Sequence, residues 1–325
     1  MPELPEVETV VRGLRQAGLP GARITAVDVR NARIVGGEPE ALRQMVVGRE
    51  VARIDRRGKY IVIDFDNDAR LLIHLRMTGK LRFGAADEQP GKHDHVIFTL
   101  SDDRRPIYND TRRFGRIVPC GASDPLARLG PEPLDAAFTP VVLGERLAGR
   151  RSRIKPLLLD QAIVAGLGNI YVDEALWHAR IHPETPADRL GPKELRSLHK
   201  AIRQVLASGI ENQGTTLGNG QSNFYSVAGR RGRNSDQLNV FRRDGLPCPR
   251  CGATIERSVV AQRSEVRGAE EQAVSDGTAV GADPAADRGA GAHGGSALGH
   301  ARARASHGCP RASHRTAPAP HAGPG

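Results

Sequence analysis

The chain has 325 residues, with 47 lysines and arginines against 37 aspartates and glutamates, a formal net charge of +10. That length supports two cores without disulfide staples, and the cationic excess favours a polyanion that releases counterions on binding. No run approaches the roughly 20 apolar residues of a membrane span, and residues 1–8 carry three glutamates in place of a basic leader, so a membrane partner is not expected and a cytoplasmic location is.

Val7, Val10, Val11 and Leu14 fall at helical spacing and predict an amphipathic helix from just after Pro5 to near Gly18 or Pro20. The period then changes to two. Segments 24–29, 60–66, 71–75 and 96–100 alternate or run apolar between Gly, Asn and Asp turns, as strands of a sandwich or barrel do. Residues 1–125 therefore read as a mainly β domain. The Pro- and Gly-rich passage 121–140 marks a boundary. Beyond it Leu195, Leu198, Ile202, Val205 and Leu206 share one helix face, with Pro192 placed to open that helix, so 126–232 reads as a helical domain. Glycine and polar residues dominate 214–233, the pattern of a mobile loop, and a cysteine-bearing segment, 233–264, follows.

The tail, 265–325, holds six acidic and six basic charges and no aromatic residue or lysine, so disorder is expected there. His293, His300, His307, His314 and His321 recur every seven residues without an apolar heptad, which argues for low complexity over a coiled coil. Because the tail is neutral, the whole excess of ten positive charges lies in residues 1–264, where an anionic partner should bind. Of four cysteines, Cys248 and Cys251 form a CxxC, more like a metal half-site in a reducing compartment than a disulfide framework.

The amino terminus carries chemistry of its own. Removal of Met1 would leave Pro2 as a secondary amine, and an α-amino group titrates near about 7.7 to 8, low enough to be partly nucleophilic at neutral pH. Glu3 beside it could act as an acid once burial raised its pKa. The same two residues also serve as an ordinary helix entry, and alone they favour that reading.

Eleven segments change the balance. They are PELPEVETV (2–10), RRGKY (56–60), HLRMTG (74–79), KHDH (92–95), NDTRRFG (109–115), LGPEPL (129–134), IKPLLLDQ (154–161), GLGNIYVDE (166–174), TTL (215–217), PCPRCG (247–252) and AQR (261–263). In this order they resemble the formamidopyrimidine-DNA glycosylase family over most of the chain, and Leu4 favours its purine-directed branch over the endonuclease VIII-like one. The resemblance implies an α+β fold: an N-terminal helix and β-sandwich, a helix-two-turn-helix domain and a zinc-finger hairpin. It implies a monomer that excises oxidised purines from double-stranded DNA and cleaves the resulting abasic site, with no redox or nucleotide cofactor.

By resemblance, Pro2 is the Schiff-base nucleophile, Glu3 its acid partner and Lys59 the proton donor in β-elimination. His74, His93, Arg112, Arg150, Lys155 and Asn169 are expected to contact DNA, the last two gripping phosphate at the start of the helix that carries Glu174. The glycines of 166–171 are expected to let backbone amides approach that phosphate. Base eversion needs apolar filling, which the resemblance assigns to Met77 and Phe114, with Arg112 on the estranged cytosine. Apolar residues in a β domain are otherwise usually core. Arg263 is expected on the finger, at phosphates flanking the lesion and in δ-elimination.

One departure stands out. Members of the family follow AQR with a second CxxC that completes a four-cysteine zinc site, and here the neutral tail begins instead. Cys248 and Cys251 are left as half a zinc site, weak or absent zinc binding is expected, and a damaged-DNA-binding protein with impaired catalysis is the alternative reading.

Overall fold

The computed structural model describes residues 1–120, 124–218, 220, 223–260 and 263–267, with side chains described as far as Arg257. The expected disorder and histidine repeat beyond residue 267, Cys309, and Ala261 and Gln262 of the AQR segment lie outside the described residues.

Helix α1 (Leu4–Gln16) begins with Pro5 in its first turn and Glu3 as N-cap, whose backbone N–H donates to the Glu6 carboxylate at 2.9 Å. That reciprocal cap consumes a helix-end amide that would otherwise lack a partner. The helix buries Val7, Val10, Val11 and Leu14, the stripe its periodicity predicts, and Gly18 with φ 67° turns the chain away. Two four-stranded antiparallel sheets follow. One has the order β1 (Ile24–Val29), β6 (Asp94–Leu100), β7 (Arg105–Asp110), β5 (Gly79–Gly84); the other has β2 (Val51–Arg57), β3 (Tyr60–Phe65), β4 (Arg70–His74), β8 (Arg116–Cys120). Ile24, Val27, Val96, Phe98 and Leu81 of the first join Ile54, Ile61, Ile63, Leu71, Ile73 and Ile117 of the second in one core, closed by α1. Helix α2 (Pro39–Val46) is an addition to the β reading of this region: only Leu42 and Val46, four residues apart, mark its buried face, too short a stripe to read as a period.

A second core gathers α3 (Pro140–Leu147), α4 (Ile154–Leu159), α5 (Asn169–Ala179) and α6 (Pro192–Glu211). Pro192 does occupy the first turn of α6, whose buried face is Leu198, Ile202, Val205 and Leu206. Leu4 of α1 belongs to this core and not to the β core, so the first turn of α1 bridges the two units. Glu132 strengthens the bridge by accepting from Arg56 and Arg57 at 2.8 Å each. Trp177, Val240, Cys248 and Ile255 form a third, small cluster, and the paired strands β9 (Glu256–Val260) and β10 (Arg263–Arg267) follow it in the chain. β10 continues to Arg267, three residues into the segment expected to be tail, because Val266 and Arg267 pair with Arg257 and Glu256.

Candidate active site and nucleic-acid interface

The bridge between the two cores is where the amino terminus lies. Pro2 is buried beneath an exposed Met1. Glu3, 3 % exposed, extends its carboxylate onto the start of α5, accepting from the backbone N–H of Ile170 at 3.0 Å and of Tyr171 at 3.4 Å. Burial raises its pKa from 4.5 to about 7, opposed by the Lys59 ammonium and the Ile170 N–H and reinforced by the Glu6 carboxylate. At neutral pH the group is therefore poised between acid and carboxylate, the state a proton donor and acceptor requires.

Lys59 is 5 % exposed and follows Gly58, which takes φ 56° in the two-residue turn between β2 and β3. A left-handed first turn residue fits the twist of a tight hairpin and calls for glycine, so the turn delivers Lys59 toward Glu3. Glu6 completes the buried set. It accepts from Tyr171 Oη at 2.8 Å and from the Thr215 backbone N–H at 2.7 Å, and Thr215 Oγ1 in turn accepts from Asn234 Nδ2 at 3.0 Å. The residue-by-residue reading of the sequence missed Glu6, although an acid three positions after an N-cap is a recognisable capping signature.

The glycines of 166–171 have a different use from the one expected. A Cβ at Gly166 would lie 2.6 Å from Leu4, and one at Gly168 would lie 2.7 Å from Glu3 Cγ. The room they leave is filled by Leu4 and Glu3, and the Ile170 and Tyr171 amides are taken by the Glu3 carboxylate. Asn169 keeps a position at the first turn of α5, half-buried, with Oδ1 lacking a protein partner. Lys155 requires a correction. It is 1 % exposed and its Nζ meets Asp173 Oδ1 at 2.6 Å, inside the helical core, so it is an internal ion pair and not a phosphate ligand.

The remaining expected DNA contacts lie on the β domain and α3. His74 closes β4, buried edge-on against Tyr60, and its Nδ1 accepts from the Arg76 backbone N–H at 3.0 Å. Burial, then the charges of Arg76 and Lys59, hold its pKa down to about 3. Neutral His74 with Nδ1 as acceptor must carry its proton on Nε2, which makes it a donor. His93 is half-buried just before β6. Arg150 is exposed after α3, its Nε donating to Arg146 O at 3.0 Å.

Met77 and Phe114 are 41 % and 49 % exposed, against the ordinary expectation that apolar residues of a β domain are core. Arg112 is also exposed, with its guanidinium 4.7 Å from the centre of the Phe114 ring. The Arg112 N–H donates to Thr78 Oγ1 at 3.2 Å, so the loop carrying Arg112 and Phe114 adjoins the turn carrying Met77.

The cysteine segment shows half of a metal site. Cys248 N donates to Ala253 O at 2.7 Å and Gly252 N to Cys248 O at 2.8 Å, a tight knuckle that leaves Cys248 buried and Cys251 exposed. Burial pushes the Cys248 thiol up, and the N–H groups of Arg250 and Cys251 outweigh it to hold the thiol below its ordinary range. Among the described residues no third His, Cys, Asp or Glu joins them. A closed structural zinc takes four ligands, so the donor set on these residues does not fit it. What fastens the segment is Glu174, 3 % exposed, which accepts from the backbone N–H groups of Asn239, Val240 and Phe241 at 2.9 to 3.0 Å. Arg250 adds a stack at 3.9 Å from the centre of the Trp177 ring. Arg263 lies in β10; its side chain is outside the described residues.

Comparison with known proteins decides the family. The formamidopyrimidine-DNA glycosylase N-terminal domain matches residues 1–117, its H2TH domain residues 129–220, and the zinc finger found in FPG and IleRS residues 245–266. The chain belongs to the formamidopyrimidine-DNA glycosylase family. Among relatives bearing that family name, the protein of Pelotomaculum thermopropionicum is 46 % identical over 270 residues, covering 81 % of this chain and 96 % of the relative. That of Protochlamydia amoebophila is 41 % identical over 266 residues, with the same coverage. A crystal structure of a Lactococcus lactis FPG mutant with DNA containing Fapy-dG superposes with TM-score 0.76 at 37 % identity, over 82 % of this chain and 97 % of that one. The MutM (FPG) protein of Thermus thermophilus gives 0.75 at 38 %, over 84 % and 99 %. The activity class of this glycosylase-family chain is that of a DNA glycosylase, and its α+β architecture is the family's.

Proposed function

We propose that this DNA glycosylase is bifunctional, removing oxidised purines through an imine on Pro2 and then cleaving the strand. The observation that carries the reading is the buried Glu3 carboxyl next to the terminal proline, with a pKa raised to about 7 and Lys59 in its field. The free amine of Pro2, after loss of Met1, attacks C1′ of an everted 8-oxoguanine or formamidopyrimidine nucleotide. The glycosidic bond breaks, and the base leaves with its electron pair and a proton. Glu3 protonates the ring oxygen as the sugar opens, giving an iminium between Pro2 and C1′. Loss of a proton from C2′ expels the 3′ phosphate in β-elimination, assisted by Lys59. A second, δ-elimination expels the 5′ phosphate and leaves a gap.

In this reading His74 Nε2–H, His93, Arg150 and Asn169 donate to phosphates, Met77 and Phe114 fill the space the base vacates, and Arg112 hydrogen-bonds the estranged cytosine. Duplex DNA bearing such lesions or abasic sites is the partner, in keeping with neighbours solved with Fapy-dG and with an abasic site. No step passes through zinc. Borohydride reduction in the presence of an 8-oxoguanine duplex should fuse the chain covalently to DNA, and Pro2→Gly, which exchanges the secondary amine for a primary one, should lower the yield of that adduct. A parent protein that binds the duplex and forms no adduct would instead fit the impaired-binder reading that the half zinc site motivates.

A further inference from the structure

Asp110 ends β7, opposite Gly79 at the start of β5, and is wholly buried. Its Oδ1 accepts from Thr78 Oγ1 and from the Arg112 backbone N–H at 3.1 Å, and its Oδ2 from the Gly115 N–H at 2.8 Å. Its own N–H donates to His93 O at 3.0 Å, and its carbonyl oxygen is bonded to His95 Nε2 at 2.8 Å. One residue thus ties three surface segments together: the turn that carries Met77, the entry to β6 that carries His93, and the loop that carries Arg112 and Phe114.

The two loops also rest on one ring. Tyr108, fully buried, lies beneath both of them. A Cβ at Gly115 would come within 2.8 Å of Tyr108 Cζ, and one at Gly79 within 2.5 Å of Leu75 O. Arg76 and Arg113, at φ 51° and 58°, take the left-handed conformation one residue before Met77 and one before Phe114. Such backbone persists in non-glycine residues only where the surroundings over-determine it. Hydrophobicity gives no reason for that effort, since Met77 and Phe114 are left facing solvent.

We propose that Asp110 is a positioning residue, whose carboxylate presets Met77, Arg112 and Phe114 as a rigid wedge before DNA arrives. The proposal rests on the glycosylase reading above. It predicts that Asp110 matters for the step that opens the stack and little for the chemistry at a site that has already lost its base.

The test compares the full chain with Asp110→Asn, which keeps the shape and replaces one acceptor oxygen by an amino group that faces N–H donors. Under single turnover, excision of 8-oxoguanine opposite dC should slow by about tenfold or more, as for other misplaced groups. Strand cleavage at a preformed abasic site should stay within about twofold of the parent. The fluorescence rise of a 2-aminopurine placed beside the lesion, which reports unstacking, should shrink in parallel. Thr78→Val should repeat the pattern more weakly and Thr78→Ser restore the parent values; these decide the matter if Asp110→Asn does not fold. Equal loss of both activities, or an unstacking signal unchanged in Asp110→Asn or in Thr78→Val, overturns the proposal. A parent that forms no borohydride adduct and gives no unstacking signal indicts the glycosylase reading itself.

Discussion

Glu3 and Gly168 fit against each other so tightly that a single added methyl group at Gly168 would lie 2.7 Å from Glu3 Cγ. The carboxylate fills the space a side chain would take and closes the amino end of α5. Gly168→Ala should therefore displace Glu3 from the Ile170 amide, with a stability loss of about 1–3 kcal/mol typical of overpacking. Excision should fall by about a hundredfold, the usual scale for general acid–base groups. Single-turnover excision measured beside thermal unfolding checks this; an Ala variant with parental excision would show that Glu3 placement is unimportant.

The pH dependence follows from the same residue. With its folded pKa raised to about 7 from 4.5, Glu3 holds a proton in the native state that the unfolded chain releases. Its contribution is full below pH 4.5 and lost as pH rises through 7, amounting to about 3 kcal/mol by linkage. Denaturant titrations from pH 4.5 to 8 should show a decline of that sign for the parent and a flatter one for Glu3→Gln. Excision should be bell-shaped, its alkaline limb set by deprotonation of Glu3 and its acidic limb by protonation of Pro2.

Lys155 supplies a test of burial against charge. If the Lys155–Asp173 pair is internal, Lys155→Met should destabilise the protein by about 3–5 kcal/mol, the cost of removing one partner of a buried pair. Adding Asp173→Leu should recover most of that loss. The dependence of DNA affinity on salt should keep its slope, whereas loss of a phosphate contact would lower it by about one. A reduced slope with unchanged stability would return Lys155 to the DNA interface.

Zinc removal is the fourth prediction. A structural zinc contributes folding energy outright, and two cysteines supply only half its ligands. Elemental analysis should give well under one zinc per chain, and a chelator should leave the unfolding midpoint where it was, because Glu174 and the Arg250–Trp177 stack hold the segment. One tightly held zinc per chain, with a midpoint that drops on chelation, would contradict this.

Much of the fold was legible in local pattern. The period of Val7, Val10, Val11 and Leu14 marked α1, Pro192 marked the start of α6, and alternation marked strands such as Ile24–Val29, because these signals depend only on which face of one element meets a core. Helix α2 escaped for want of a full stripe, and Lys155 was misplaced because a lysine among leucines looks the same in sequence whether its partner is a phosphate or Asp173, eighteen residues on.

What the sequence determined by itself was the chemistry available: a proline behind the initiator, an acid beside it, a cationic body and a CxxC without its complement. Tertiary structure alone decided which groups meet. Only folding sets the Glu3 carboxylate on the amides of α5, joins Asp110 to Thr78, Arg112 and Gly115, and leaves Met77 and Phe114 in water. The reason is physical: burial and electric field depend on neighbours distant in the chain, and the pKa of Glu3 is raised by burial and partly pulled back by Lys59, fifty-six residues away, and by the Ile170 N–H of α5, more than a hundred and sixty residues away.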